Sequence, residues 1–543
     1  MKRKRSQPRP VAPPPLRSHS PLWPLLQAVL ILASSLFISF TVWAPSLEAD
    51  WGPIDDHVIH TLLGPDHRMS LAEVPAVAWG AEVSHPGASL RYRPAYWFIT
   101  ALECVFFGDS VRAWYLSRVV GFALMLAGAW FLLARFAGFL LGSGFALLLS
   151  VHPYWGSIWA CLGPGEPFAA LGCILGGLGF WVVYISSGSA ASGSARAFGW
   201  WMILAGGLVA IGSKENLPFL ALPPAWLAWR EWRTGRLSRL AATCSTILLA
   251  YAAFISLAVV VALARHGADV YSRPVGISTR LQVVWRGLSG EPLLLICLCL
   301  AALAAGVLQW AAASWSRFLP WRRAARLCLA WEAILVVLYA TQLVFYNGPW
   351  ERNFRYAFPG ETLLSFAWFI PAALLWRAWP VVPGRWAASR RILAAAGCAA
   401  MLFAVHRTGY SSLTEAAERN RAKTTAWAGV LRNLAFRTRS SPDAVLVIYS
   451  RSLNDFEAID ASRQYLRYLG VPNPVVLQLD PGFSNGELMP AQAGELLQTL
   501  KSYASGKGGY ASPSLLETAQ ECLIISFGPP PPGRCRFGNT LPR

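Results

Sequence analysis

The fold of this chain is decided near its start, where LWPLLQAVLILASSLFISFTVWA (Leu22–Ala44) precedes WGPIDDHVIH (Trp51–His60). The first run is long enough to cross a membrane, since a transmembrane helix needs about 20 consecutive apolar residues. A cleavable signal peptide is the alternative, but its apolar region is usually about 7–15 residues long and ends in small residues. This run is longer and ends near Trp43, so we predict a membrane anchor, with Asp55 and Asp56 at the water edge beyond it.

The composition indicates that membrane-spanning segments occur along the whole chain. The chain has 543 residues, of which 55% are hydrophobic and only 14% are charged, whereas soluble domains have about 25% charged residues. Long apolar runs recur along it, which predicts a polytopic α-helical membrane protein. The net charge of +19 does not favour nucleic-acid binding, because most arginines fall in short loops between apolar runs, where orienting charges belong.

We predict three parts along the chain: a basic cytoplasmic arm at 1–21, a transmembrane domain at 22–406 and a tail domain at 407–543. A long outside loop at 45–93 follows the first span, and the apolar stretch at 95–107 is too short to cross. About eleven transmembrane helices are expected, at 22–44, 112–134, 138–158, 166–186, 198–213, 217–229, 241–264, 291–313, 327–346, 361–376 and 391–406.

The arginines predict the orientation of these spans. Threaded from a cytoplasmic N-terminus, the spans place the dense arginine clusters at 230–239, 317–326 and 377–391 inside, as the positive-inside bias requires. The loop at 265–290 carries four arginines and is a mild departure from that bias. The segments that then lie outside, together with the tail, are 45–93, 152–165, 213–216, 265–290 and 347–360.

The sequence pattern of the tail differs from that of the preceding apolar runs and predicts a small extracytoplasmic α/β domain. β-Branched runs at 444–449, 475–479 and 523–527 read as short strands, and 455–469 reads as a helix. Eight of the ten cysteines lie before residue 400, mostly in apolar segments, where cysteine behaves as a small hydrophobic residue. Cys522 and Cys535 lie in the polar tail, where an outside location makes a disulfide between them plausible.

The adjacent carboxylates of Asp55 and Asp56 support two interpretations. Pro53 suits the first turn of a helix, and carboxylates just after it complement the helix dipole, which explains the pair without a function. The functional interpretation makes one carboxylate a general base or a metal ligand for chemistry on a lipid-borne substrate. Neighbours on a helix point about 100° apart, so only one of the two is expected to face a site.

A second charged motif, Ser213-Lys214-Glu215-Asn216, interrupts two short apolar runs. Charges there would be costly within the bilayer, which favours a functional position or an interface. The alternative is an ordinary outside turn in which Lys214 and Glu215 pair with each other. His152 and Glu166 flank another outside turn, where His152, which precedes a proline, is expected to be structural.

A third motif, WERNFRY (Trp350–Tyr356), places Arg352 and Arg355 among aromatic residues in an outside loop. Guanidinium groups bind phosphate with two hydrogen bonds, and aromatic rings can stack on sugar faces, so the loop fits a sugar-phosphate site. An aromatic anchor at the membrane surface is the alternative. Arg91 and Arg93 allow the same two interpretations.

In their order along the chain, these features resemble the GT-C glycosyltransferases. The resemblance rests on the basic arm, the single span, the outside loop with paired Asp, and four short motifs: Arg-x-Arg-Pro at 91–94, Phe-Gly-Asp at 107–109, Ser-Lys-Glu-Asn at 213–216 and Arg-Tyr-x-x-Pro at 355–359. It covers residues 20–406. The family comprises membrane enzymes that use polyprenyl-phosphate-linked sugars, related to protein O-mannosyltransferases and the aminoarabinose transferase of lipid A.

The resemblance implies an enzyme of the bacterial inner membrane that works on its outer face. Its partners would be a polyprenyl-phosphate-linked sugar, membrane lipid, and a glycan, lipid or protein acceptor. The acidic residue that acts in catalysis maps onto Asp55 or Asp56, as general base for the acceptor hydroxyl. The implied substrate-binding residues are Arg91, Arg93, Lys214, Glu215, Arg352, Arg355 and Tyr356, with Arg352, Arg355 and Lys214 facing the phosphate.

No cofactor is predicted with certainty, although a divalent metal is possible. The family has a second outside acidic site, and Glu166 is the nearby candidate for it in this chain. A transporter or flippase of lipid-linked sugars is the rival from another class, and a non-catalytic membrane scaffold is a third option. A transporter should place charges or broken helices within the membrane, often in repeated halves, whereas here the charges cluster at the outer edge and no halves repeat.

Overall fold

The computed structural model describes residues 22–54, 56–80, 92–186, 193–266, 277–290, 292–314, 319–345, 358, 367, 369–378, 385–484, 490–527 and 536–540. Within these ranges the chain is mainly helical, and strands occur only after residue 444. This distribution matches the change in sequence character that predicts a helical membrane part followed by an α/β tail.

Sixteen helices precede the tail in the described part of the chain. They are α1 (Leu22–Trp43), α2 (Asp56–Leu63), α3 (Val74–Gly80), α4 (Pro94–Phe107), α5 (Val111–Ala137), α6 (Phe139–Ser150), α7 (Tyr154–Trp159), α8 (Glu166–Ser186), α9 (Gly193–Ser213), α10 (Leu222–Arg233), α11 (Arg239–His266), α12 (Ile277–Ser289), α13 (Pro292–Ser314), α14 (Leu319–Phe345), α15 (Phe369–Ala378) and α16 (Arg385–Thr408).

Six described helices are long and apolar enough to cross a membrane, or seven if one bent pair counts as a single span. The prediction of a helical membrane protein with several spans is therefore confirmed, while the count of about eleven stays a prediction. The predicted span at 138–158 is two shorter helices, α6 and α7. The helix breaks there because Pro153 disfavours helical backbone at the residue before it.

Helices α8 and α9 form an antiparallel hairpin held together by small residues. A methyl group at Gly172 would lie 2.6 Å from the Ala210 nitrogen, and one at Gly179 would lie 2.5 Å from the Gly199 carbonyl oxygen. The two backbones therefore touch, as they do where small residues repeat at helical spacing in membrane helix pairs. This register brings Glu166, the first residue of α8, beside Lys214, which follows α9.

The other end of this hairpin carries arginines. Arg196, in the first turn of α9, forms an ion pair of 2.6 Å with Glu231 in the last turn of α10. Helix α10 therefore runs back along α9, and α11 starts again at the same end with Arg239. The arginine cluster at 230–239 is thus gathered at one end of these helices, as the orientation argument expects. Its location on the cytoplasmic side stays a prediction.

The tail contains a four-stranded parallel sheet. Its strands β1 (Val445–Ser452), β2 (Val475–Ser484), β3 (Cys522–Phe527) and β4 (Arg536–Thr540) lie in the order β2-β1-β3-β4. Its central strand β1 has residues buried on both faces, as parallel strands usually have. The three strands and the helix that the sequence predicts are all present, and β4 was not predicted. The tail elements are α17 (Ser411–Ser440), β1 (Val445–Ser452), α18 (Phe456–Tyr468), β2 (Val475–Ser484), α19 (Pro490–Ala504), α20 (Leu515–Thr518), β3 (Cys522–Phe527) and β4 (Arg536–Thr540).

The tail and the first loop share one hydrophobic core. Trp51, Ile59 and Leu63 of the loop segment lie in the same buried cluster as Leu446 of β1 and Leu477 of β2. Because apolar side chains from both parts exclude water together, the tail is docked on the loop rather than attached only by a linker. Cys522 forms a disulfide, as expected of the tail, and Cys535 lies outside the described residues.

Candidate functional site

Asp56 is the first residue of α2 and is buried, with 2% of its surface exposed. Its Oδ2 accepts a hydrogen bond of 2.6 Å from the backbone N–H of Gly52. A side chain at Gly52 would crowd this contact, since its Cβ would lie 3.1 Å from that oxygen. The position in the first turn complements the helix dipole, so the structural interpretation applies. Burial beside further charged groups keeps the functional interpretation open.

A buried ion pair between Arg118 and Glu103 lies on two helices that pack against the first loop. Arg118 Nη1 and Nη2 donate to the two carboxylate oxygens of Glu103 at 2.6 and 2.9 Å. Nη2 also donates to the Leu162 carbonyl oxygen at 3.2 Å. The first loop packs against the helix that carries Arg118, since the Trp51 ring lies 6.0 Å from the ring of Trp114. Two parallel hydrogen bonds fix the plane of the guanidinium, so its positive charge is held at a defined place.

Aromatic rings line the same region. The Arg118 guanidinium carbon lies 4.7 Å from the centre of the Phe168 ring, and Phe168 is 6.1 Å from Tyr96. The Tyr96 hydroxyl donates to the Gly163 carbonyl oxygen at 2.8 Å. The Arg93 guanidinium carbon lies over the Tyr96 ring, 4.8 Å from its centre. The predicted binding residue Arg93 therefore belongs to this cluster.

Lys214 and Glu166 are buried and form an ion pair with each other. Lys214 has Glu166 as a partner because the α8–α9 register brings the start of α8 to it. Phe168 is two residues after Glu166, so this pair is continuous with the aromatic rings near Arg118. Glu215 is buried at the same end of the hairpin.

The late loop at 347–360, which is predicted to lie outside, reaches this cluster at one described residue. Asn216 Nδ2 donates to the Phe358 carbonyl oxygen at 3.3 Å, and the Phe358 ring packs 6.5 Å from Trp155. Phe358 belongs to the Arg-Tyr-x-x-Pro motif. The motif is therefore joined to the Ser-Lys-Glu-Asn motif by contact as well as by order along the chain.

Some predicted residues cannot be compared with the structure. Asp55, Arg91, Arg352, Arg355 and Tyr356 lie outside the described residues. Their roles stay predictions. Among the residues singled out from the sequence, Asp56, Arg93, Glu166, Lys214 and Glu215 are described, and all are partly or fully buried.

Arg118 and Glu103 were missed by sequence reasoning. Both lie in apolar stretches, a predicted span and the short helix before it, whereas the charged motifs that stand out in the sequence lie mainly in loops. A charge within an apolar helix is itself a signal, because an unpaired charge there is expensive and the few that occur are usually paired or functional.

Several buried polar atoms of these elements have no hydrogen-bond partner in the described part of the chain. Leaving such a group unsatisfied costs about 1–3 kcal/mol, and buried polar groups are almost always bonded. Such atoms occur throughout the described chain, and the five on these elements include both donors and acceptors, as a sugar-phosphate ligand would need. The five atoms are Trp97 Nε1, Thr100 Oγ1, Arg118 Nε, Ser213 Oγ and Asn216 Oδ1.

Helix α17 of the tail holds the segment that leads into α2. Thr424 Oγ1 accepts a hydrogen bond of 3.1 Å from the Asp50 N–H, and Arg432 forms an ion pair with the Asp50 carboxylate. Arg421 Nη1 donates to Glu48 Oε2 at 2.5 Å. The tail therefore helps to fix the loop on which the first-loop carboxylates are carried.

His60 and His67 of the first loop belong to the interface with the tail. The His60 ring lies 4.8 Å from Tyr465, 5.0 Å from Tyr468 and 5.0 Å from Trp51. His67 stacks on Tyr468 at 4.0 Å. Burial raises the pKa of both tyrosines, so their hydroxyl groups stay neutral. These histidines contribute packing surface to the docked tail.

No group of three or more His, Cys, Asp or Glu side chains within the described ranges is arranged to hold a metal ion. Glu166, the candidate from the sequence, has Lys214 as its partner. Metal dependence therefore stays a prediction.

No protein-family model, no curated protein and no solved structure matches the chain. The resemblance to GT-C glycosyltransferases accordingly rests on the motifs alone.

Proposed function

We propose that this protein is an integral membrane glycosyltransferase that moves a sugar from a polyprenyl-phosphate donor to an acceptor hydroxyl. The observation that carries the proposal is the joint burial of a first-loop carboxylate and two cations at one end of the helix bundle. Asp56 lies in the first loop, whose Trp51 packs 6.0 Å from Trp114 on the helix that carries Arg118, and the rings of Tyr96 and Phe168 connect Arg118 to the Lys214–Glu166 pair.

The reaction needs three kinds of protein group, and this cluster contains a candidate for each. A carboxylate near the acceptor hydroxyl acts as general base. A fixed positive charge stabilises the phosphate that leaves. Aromatic faces bind the apolar side of a sugar ring. Asp56, or its neighbour Asp55, supplies the first, Arg118 or Lys214 the second, and Tyr96 with Phe168 the third.

In the proposed reaction the carboxylate takes the proton of the acceptor hydroxyl as that oxygen bonds to the anomeric carbon. The bond from the anomeric carbon to the phosphate oxygen breaks, and its electrons leave with the polyprenyl phosphate. Arg118 is well suited to face that phosphate, because its hydrogen bonds to Glu103 fix the guanidinium before substrate arrives. Lys214 is a second cation for the same group, and Arg352 and Arg355 keep that expected role.

The proposal is tested by comparing the envelope glycans and glycoproteins of cells with and without the gene by mass spectrometry. We expect one sugar modification to be lost with the gene and restored by the wild-type chain. A Lys214→Met/Glu166→Gln chain leaves no unpaired buried charge, so it should reach the membrane in normal amount and yet restore the modification poorly. Identical glycan profiles with and without the gene would contradict a glycosyltransferase.

A transporter of lipid-linked sugars is the second candidate, and one observation favours it. Glu332 lies midway along α14 with 0% of its surface exposed, and neither carboxylate oxygen has a partner among the described residues. An ionisable group inside the membrane part is expected of a transporter. The sequence argument that charges cluster at the outer edge is thus incomplete.

The two candidates make opposite predictions for two variants. In vesicles holding a fluorescent polyprenyl-phosphate sugar, a transporter should move the lipid between leaflets, and Glu332→Gln should stop that movement. A glycosyltransferase should instead transfer the sugar to an acceptor, and the loss of a first-loop carboxylate should stop the transfer while Glu332→Gln leaves it in place.

A further inference from the structure

The end of the α8–α10 region opposite the candidate site is strongly basic. Between residues 193 and 239 the acids are Glu215, at the other end, and Glu231. Glu231 is buried and is paired with Arg196, whose Nε also donates to it at 3.1 Å. Four further arginines of this region are exposed: Arg230, Arg233, Arg236 and Arg239.

Two of these arginines lie on an aromatic surface formed by neighbouring helices. On α8, Phe180 and Tyr184 stack at 6.5 Å, and Phe180 also stacks at 6.5 Å on Trp226 of α10. The Arg230 guanidinium carbon lies 5.4 Å from the Tyr184 ring centre and 5.9 Å from that of Trp226. Arg233 lies 5.0 Å over the ring of the next tryptophan on the helix, at position 229.

The rings of this surface are about half exposed. Tyr184 is 47% exposed and Trp226 is 49% exposed. Phe198 and Trp201, in the first turns of α9 near Arg196, are also exposed apolar residues. Cations over half-exposed rings, next to an apolar helix surface, combine the two environments that a phospholipid presents, a charged headgroup and an acyl chain.

We propose that Arg230 and Arg233, with the rings of Tyr184 and Trp226, bind the headgroup of an anionic phospholipid. Guanidinium groups form charge-assisted hydrogen bonds with phosphate, and basic pockets between membrane helices bind anionic headgroups. A lipid is favoured over a free phosphate ion because the exposed apolar side chains beside the arginines can cover its acyl chains. The site is separate from the Arg118 cluster and does not depend on the proposed transfer reaction.

Lipid binding to the purified full chain is measured by native mass spectrometry, with phosphatidylglycerol and phosphatidylcholine of equal chain length in equal amounts. We expect the wild-type chain to retain phosphatidylglycerol in preference. The Arg230→Gln/Arg233→Gln chain should bind it less tightly, by about five-fold per arginine removed. Tyr184→Leu keeps every charge and should still weaken binding, because the ring beneath Arg230 is gone.

The matched control is Arg439→Gln/Arg467→Gln, which removes two exposed arginines of the tail and leaves the same net charge. It should keep the preference of the wild-type chain. Equal retention of the two lipids by the wild-type chain would overturn the proposal, as would equal losses in the control and in the Arg230/Arg233 variant. Thermal unfolding of each purified chain verifies that the variants are folded.

Discussion

At the scale of single residues, the Arg118–Glu103 pair is held by two hydrogen bonds away from water. Taking both charges out of water is costly, and the pair offsets that cost only while both partners are present. Removing one leaves an unpaired buried charge. The exposed pair of Arg419 and Glu415 on α17 differs, because water screens both of its groups.

We therefore predict that Glu103→Gln destabilises the protein by about 3–5 kcal/mol, as expected for breaking a buried pair. Glu103→Gln combined with Arg118→Met should recover much of that loss, because no unpaired charge is left. Glu415→Gln is the matched control and should have little effect. Tryptophan fluorescence during thermal unfolding in detergent measures all three, and equal losses in Glu103→Gln and Glu415→Gln would show that Arg118 and Glu103 are not a buried pair.

Sequence reasoning found part of this cluster. Asp56, Lys214 and Glu166 stood out because each is a charge beside a long apolar run. The pairing of Lys214 with Glu166 was not predicted, since it depends on the register of two helices and not on adjacent positions. Arg118 was missed because it lies inside an apolar run, where the surrounding leucines and valines dominate the pattern.

At the scale of helices, the seam between α8 and α9 sets the distance between Glu166 and Lys214. Adding a methyl group at Gly172 would press it against the backbone of α9. Gly306 in α13 has no atom within 4 Å of the same position. The two glycines therefore make a matched pair for the same substitution.

Gly172→Ala should destabilise the protein by about 1–3 kcal/mol, the usual cost of overpacking. Gly306→Ala should be neutral or stabilising by up to about 1 kcal/mol, because alanine favours a helix over glycine. The midpoints of thermal unfolding give the comparison. Two substitutions that behave alike would contradict the close approach of α8 and α9.

The turn between α6 and α7 carries a group that is sensitive to pH. Burial lowers the pKa of His152 to about 4, below its usual value of about 6.5. The folded state therefore favours neutral His152, while the unfolded state gains a proton first as the pH falls. The resulting stability is fully present above pH 6.5 and is lost as the pH falls toward 4.

We predict that unfolding midpoints of the wild-type chain fall between pH 6.5 and pH 4, and that His152→Gln makes this fall shallower. The neutral glutamine side chain cannot take up a proton in either state. Identical pH profiles for the two chains would show that His152 titrates alike when folded and unfolded.

The elements themselves were largely predictable. Long apolar runs and β-branched runs mark α8, β1 and β2 because hydrophobic burial sets both patterns. The break between α6 and α7 was not foreseen, although Pro153 gives the physical reason for it. The short strand β4 carries a weak pattern, with Gly and Asn inside it, and was missed.

At the scale of the whole molecule, the docked tail makes the first loop part of a folded body. Its aromatic residues bury Trp51 and His60, and its arginines pair with acids of the loop. The sequence predicted the tail as a separate domain, because side chains that meet across more than 350 residues leave no local pattern. The orientation of this assembly in a membrane is a further prediction.

Single cysteines at Ser278, Ser484 and Ser238 test that orientation. The first two should react with a membrane-impermeant thiol reagent in intact cells, and the third should react only after lysis, because the arginines around it belong inside. The parent chain, with its native cysteines, supplies the background. Labelling of the Ser484 variant only after lysis would place the tail in the cytoplasm.

We propose that a first-loop carboxylate acts as the base in sugar transfer. The most direct test of this role is the turnover of purified Asp55→Asn and Asp56→Asn chains with a polyprenyl-phosphate sugar donor and the acceptor identified by glycan mass spectrometry. Asn keeps the size of the side chain and removes its charge. We predict that one variant folds normally yet loses about 10²–10⁴-fold in turnover, while the other stays close to wild type. Near wild-type turnover in both variants would place the catalytic base elsewhere and contradict the account.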